Sequence, residues 1–240
     1  MTLEPQQSID VRRDISRSVV ALLKEYVGRG PTNARTIMGG DLVVVLLADT
    51  LTKGERVLAG QDQVELVREM RRSILRSMSE QLTIVVEEGT GRRVRAVLGD
   101  HSVEPDYAFA ACVLESEAEA EAQTQAPAQA AEREQQRQIS RGMVGLYKEF
   151  IGRGPTEARS YIEGDLVASL LGDTLTKAER TLADEERPES VRDMRRQFQE
   201  ALQERACKIV ADATGREVVA FMSDHEIESD YALEVFLLAD

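Results

Sequence analysis

Apolar side chains recur at spacings of three and four through Ile15, Val19, Leu22, Leu23 and Tyr26, the stripe of an amphipathic helix. Gly28 ends it. ARTIM (34–38) and DLVVVLLAD (41–49) then flank Gly40, two short β-rich runs about a glycine turn, which predicts a hairpin. The second run is Val-rich, as in a strand buried on both faces. Thr52-Lys-Gly-Glu55 is a capping box: the Thr hydroxyl accepts from a first-turn amide and the Glu reaches back. After a break near Gly60, a long helix is predicted with Val67, Met70, Ile74, Met78, Leu82 and Val85 as its stripe, ending at Gly91. RRVRAVL and YAFAACVL, around a turn holding Asp100, His101 and Asp106, predict a second hairpin.

This pattern occurs twice. Residues 13–114 align with 137–238 at a constant offset without a gap, about half the positions being identical. The second copy carries Ile139, Met143, Leu146, Tyr147 and Phe150 in its first helix, and Thr176-Lys-Ala-Glu179 as its capping box. Its long helix starts near Pro188, with Val191, Met194, Phe198, Leu202, Ala206 and Ile209 as its stripe. Repeats of this length exceed solenoid units and suit separate domains. The expected fold is therefore α+β: two homologous α-β-β-α-β-β domains, each a small antiparallel-rich sheet with two helices on one face. The expected boundaries are 1–114 and 136–240. Between them, residues 115–135 (ESEAEAEAQTQAPAQAAEREQ) form an acidic Ala/Glu/Gln linker whose part after Pro127 extends the second copy's first helix.

Composition narrows the classes. Aromatics are 4% and Trp is absent, so the cores are aliphatic. The longest apolar run, Leu42 to Ala48, is far short of the roughly 20 residues that span a bilayer. The N-terminus has neither a positive start nor an apolar block, which argues against a secretory signal. With Cys112 and Cys207 read as reduced packing residues, this places the chain in the cytoplasm. No metal-ligand spacing and no cofactor motif is visible. A net charge of −13 argues against nucleic acid as partner. The charge is uneven: residues 12–114 carry a net +1 and residues 136–240 a net −7, which would let the copies attract each other or face different partners.

Candidate chemistry centres on GRGPT, at 28–32 and 152–156. It follows a helix, not a strand, and lacks the GK[ST] ending of a phosphate loop. One reading is a helix stop, with Gly28 left-handed and Pro31 barring continuation. The other is a small-anion or metabolite site in which Arg29, Thr32 and Arg35, joined by Arg71 and His101, ring bicarbonate or phosphate, with Arg153, Thr156, Arg159, Arg195 and His225 as the second copy's set. Arg71 and Arg195 fall inside the apolar stripe, so each needs a carboxylate or carbonyl cage. Asp41, Asp100 and Asp106 are candidate partners for Arg71, with Asp165, Asp224 and Asp230 for Arg195. Arg68, Arg72 and Arg76 are expected on the opposite, exposed face, as a solvated surface or a docking patch for an acidic partner or an anionic membrane surface. His101 and His225 follow Asp in a loop and suit either loop structure or acid–base work. Neither lies near a recognisable nucleophile, so a catalytic role is not indicated.

The helix–GRGP–hairpin order, the GDLVVVLLADTLTKGE stretch and the long helix ending in TGR before a hairpin resemble the MpsC-like family. The resemblance covers both copies. It implies a link to a sodium-translocating, membrane-potential-generating system. Ion translocation needs a spanning path, so the implied role is an accessory or regulatory module that docks on a membrane transport component from the cytoplasmic side. The family's members are usually single domains. The tandem copy therefore implies an internal pseudo-dimer, with the two copies replacing a homodimer's subunits.

Overall fold

In a computed structural model the described residues are 5–115, 127–185 and 188–239. Residues 116–126 of the expected linker lie outside them. The chain divides into two compact units, Met1–Glu119 and Ala120–Asp240.

Unit one runs α1 (Pro5–Val27), β1 (Asn33–Gly39), β2 (Leu42–Ala48), α2 (Lys53–Ala59), α3 (Val64–Thr90), β3 (Val94–Ser102) and β4 (Tyr107–Leu114). The strands form one antiparallel sheet in the order β1-β2-β4-β3, with both hairpins as expected. The capping box is present: Thr52 accepts from the Glu55 amide and Glu55 accepts from the Thr52 amide. It opens a helix of its own, α2, separate from α3.

The helices lie on one face of the sheet. Ile15, Val19 and Leu23 of α1 and Met78, Leu82 and Val86 of α3 pack with Val43, Val45, Leu47, Ala110 and Cys112. The register turns Ile37, Val44, Leu46, Leu98, Phe109 and Val113 to the other face. That face is as aliphatic as the helix-bearing one, which is why β2 reads as an unbroken apolar run instead of alternating. The α3 stripe differs from the expected one. Its buried residues are Val67, Arg71, Met78, Leu82 and Val86, while Met70 is exposed. The reason is Arg71: it occupies the core line, so a count of apolar residues alone misplaces the face by a fraction of a turn.

Unit two repeats the plan as α4 (Pro127–Ile151), β5 (Glu157–Glu163), β6 (Leu166–Gly172), α5 (Lys177–Asp184), α6 (Pro188–Thr214), β7 (Val218–Glu226) and β8 (Tyr231–Leu238). Its sheet order is β5-β6-β8-β7. α4 begins at Pro127, where proline suits a first helical turn. Leu166, Leu170, Met222, Leu233, Val235 and Leu237 make up its helix-free face.

Candidate functional site

In each unit the polar residues singled out by sequence meet where β2 (or β6) runs into the short capped helix. In unit one, Asp106 from the β3–β4 turn accepts from the Thr50 amide at 2.9 Å, the Leu51 amide at 3.0 Å and the Thr50 hydroxyl at 3.0 Å. It also pairs with Arg56 at 2.9 Å. His101, on the helix-bearing side of β3, places Nε2 2.8 Å from the Thr50 hydroxyl. Because that hydroxyl donates to Asp106, it accepts from His101, which fixes the proton on Nε2. Unit two repeats the arrangement with Asp230, Thr174, Leu175, Arg180 and His225.

Arg71 completes this node from α3. Its Nε and Nη2 meet the two Glu55 oxygens at 2.5 and 2.6 Å, and Nη2 also donates to the Thr50 carbonyl at 2.7 Å. Arg195 does the same with Glu179 and Thr174. The partner is therefore the capping-box glutamate and none of the aspartates expected from sequence. The capping motif accounted for Glu55 locally, so its second role was masked. A buried arginine two helical turns or less into α3 needs a carboxylate from whatever precedes that helix, and Glu55 is the nearest that is itself fixed. Burial acts to raise the Glu55 pKa, but the Arg71 bonds and the Thr52 contacts outweigh it and hold it below the ordinary value.

The GRGPT loops pack against the same node from outside. Gly28 and Gly152 are left-handed at φ +79°, the conformation that ends α1 and α4. Arg29 donates to the Leu51 carbonyl, and Thr32 donates to Asp49 at 2.6 Å. Arg153 donates to the Leu175 carbonyl at 2.6 Å and to Asp173 at 2.5 Å, and Thr156 also bonds Asp173. Arg35 sits on β1 opposite Leu46, on the helix-free face, and Arg159 is opposite Leu170. The structure thus brings Arg71 and His101 together, sets Arg29 and Thr32 on the adjoining loop, and turns Arg35 to the other side of the sheet. Arg72 is not on a free face: it pairs with Asp100 at 3.1 Å and with Glu65 at 3.0 Å.

Acid should loosen this node. Burial of the Asp106 carboxyl acts to raise its pKa, but His101 and the Leu51 and Thr50 donors bring it down to about 2. A carboxylate held low contributes stability that is complete above its ordinary value near 3.9 and is lost as pH falls toward about 2. For His225, burial lowers the pKa, offset only in part by Asp230. The unfolded chain then takes up the proton first, so stability declines as pH drops below about 6.5 toward the lowered folded value. Melting curves of the full chain at about pH 7.5, 5.5 and 3.5 are expected to show a two-stage fall. His225→Gln removes most of the first stage, and an unchanged midpoint from pH 7.5 to 5.5 would contradict this.

The units differ just above the node. Unit two fills this region with Tyr147, whose hydroxyl donates to Glu234 at 2.5 Å, and with the buried Gln199. Burial and the Glu234 carboxylate raise the Tyr147 pKa well above its usual value, keeping the phenol protonated. Sequence reasoning placed Tyr147 on the core stripe but not its acid partner, because Glu234 lies in a run that otherwise reads as strand core. At the matching positions unit one has Leu23, Ala110 and Leu75.

No group of acidic, His or Cys side chains arranged to hold a metal occurs among the described residues, and no described helix is long and apolar enough to cross a membrane. The sequence profile of the family described as "Na+-translocating membrane potential-generating system (MpsC)" matches the chain at residues 8–116 and again at 131–240. The uncharacterized protein YbcI of Bacillus subtilis (strain 168) is similar: 29% identical over 93 residues, covering 38% of this chain and 75% of that protein. No solved structure matches the chain.

Proposed function

The chain belongs to the MpsC family, which it matches once in each unit, and from that premise we propose that it is a non-enzymatic accessory module of a sodium-translocating membrane system. The double family match is the observation that carries this reading. The described helices offer no membrane span, so the module works beside the path that ions take, docked on an integral component from the cytoplasmic side. The polar node supports a structural more than a catalytic role: Arg71, Glu55, Thr50 and Asp106 already satisfy one another. A general base must reach a substrate proton, and His101 is buried, with its Nε2 turned to the Thr50 hydroxyl.

The two units together form an internal pseudo-dimer in this proposal. Each sheet has an apolar face without helices of its own unit, and a contiguous apolar face on a sheet suits an interaction site. A homodimer of single domains would bury that face against its twin. A tandem chain carries the twin with it, which is the use the duplication serves.

Capture of the tagged full chain from cross-linked membranes of its own cells, followed by mass spectrometry, is expected to recover an integral component of a cation-transport system. Efficient cross-linking that yields soluble proteins alone would contradict the proposal.

A further inference from the structure

Unit one carries a basic groove away from the node. It runs between α1 and β1, an edge strand of the sheet, and has a volume of about 480 Å³. Arg12, Arg13 and Arg17 line it from α1. Their spacing puts the three on one stretch of helix surface, where like charges four apart repel. Arg12 is half-buried and donates to the Met38 carbonyl at 3.1 Å, which holds it at the strand. Arg13 pairs with Asp10 at 2.7 Å and Arg17 with Asp14 at 3.6 Å, but the two arginine side chains are 53% and 70% exposed. Exposed pairs of this kind hold weakly, so both guanidiniums can turn to a stronger acceptor.

A second observation points to a ligand. Ser16 and Thr36 also line the groove, with their hydroxyl oxygens 2.6 Å apart, and Thr36 is only 5% exposed. Two hydroxyls hold two hydrogens, and their mutual bond uses one. The other is left to donate, whichever residue carries it. Unit two spends its hydroxyls inward: Ser140, Ser160 and Ser169 bond in series at 2.9 and 3.0 Å, and Ser169 lies opposite Glu234 on β8. Unit one has Val45 at the Ser169 position, and unit two has Gln136 at the Arg12 position. Unit one thus joins three arginines to a spare hydroxyl donor, and unit two does not.

We propose that the unit-one groove binds a phosphate ester. The phosphoryl oxygens accept from Arg12, Arg13 and Arg17 and from the spare hydroxyl hydrogen, and a short uncharged body lies along Val20 and Ala34. A phosphoryl group fits better than a carboxylate because it has three terminal oxygens and more charge to set against three guanidiniums. The volume falls in the range of roughly 300–1,000 Å³ that small-molecule sites occupy, so the groove has room for more than a bare anion. The chain's net charge of −13 repels anions at long range, which leaves close contact as the source of affinity. A soluble monoester and the headgroup of phosphatidic acid both offer this chemistry. The proposal is independent of the docking role above and can fail without it.

The test has two arms on the full chain: an NMR titration with glycerol 3-phosphate, with glycerol as the blank, and flotation with phosphatidylcholine vesicles with and without phosphatidic acid. The expected result is saturable shifts at the Arg13, Ser16 and Thr36 amides and none at Arg137, Ser140 and Ser160, or binding to the phosphatidic acid vesicles alone. The first identifies a soluble ester and the second a lipid headgroup. Arg12→Gln, which installs the unit-two residue, should weaken binding at least about tenfold, as the loss of a charge-assisted hydrogen bond does. Arg17→Gln, at an exposed position, does the same without risk to the fold, and Arg141→Gln in unit two should change nothing. Failure of both arms, equal shifts in the two units, or binding that survives both Arg12→Gln and Arg17→Gln would each overturn the proposal.

Discussion

Replacing Arg195 with Met is expected to destabilise unit two by about 3–5 kcal/mol, the usual consequence of removing one member of a buried pair. Both side chains are almost wholly out of solvent, 1% exposed for Arg195 and 4% for Glu179. Without the guanidinium, Glu179 keeps its charge in the core or takes up a proton against its amide bonds, and the Thr174 carbonyl loses its donor as well. Arg195→Lys should recover little, because one ammonium cannot reproduce the planar fork that meets both oxygens. The double variant Arg195→Met with Glu179→Leu should regain most of the loss, apart from roughly 1 kcal/mol for the broken cap. Two units make a single unfolding midpoint ambiguous, so the measurement is amide hydrogen exchange on α6 and β6 under native conditions. A loss below about 1 kcal/mol for Arg195→Met would mean that water reaches the pair, and the node would no longer serve as the anchor of the capped helix.

Val44→Lys should have an effect of similar size for a different reason. Val44 lies in the centre of the helix-free face, on a central strand and opposite Ala111 of β4. If that face is covered by its twin, a lysine there is an unpaired charge in an apolar layer, one of the few mechanisms that cost about 3–5 kcal/mol. Were the face open to water, the same substitution would sit on a solvated sheet and change stability by about 0.5 kcal/mol or less. Native-state amide hydrogen exchange on β2 and β4 of the full chain decides between them, with Val45→Lys, directed into the helix-bearing core, as the reference for a buried site.

Much of this fold is legible in the residues because the signals are local. The capping boxes, the left-handed Gly28 and Gly152, and the hairpins around Gly40 and Gly164 each follow from a few neighbouring positions, and the internal repeat doubles every one of them. The pairing of Arg71 was half legible. Its place in the apolar stripe announced a buried charge, but its partner depended on where the chain folds α2 against α3, which no spacing rule encodes. Glu55 had already been explained as a cap, and one residue doing two jobs hides the second. The Tyr147–Glu234 contact was illegible for a related reason: the two side chains lie far apart in sequence and meet only across the α4–sheet interface. What did show in the sequence was the contrast itself, since Leu23 and Ala110 stand where the other copy has Tyr and Glu.

The most direct test of the pseudo-dimer is small-angle scattering combined with light scattering on the full chain. The account predicts the mass of one chain, 26.7 kDa, and a single compact envelope. A mass of two chains, or an envelope of two separated bodies, would contradict it.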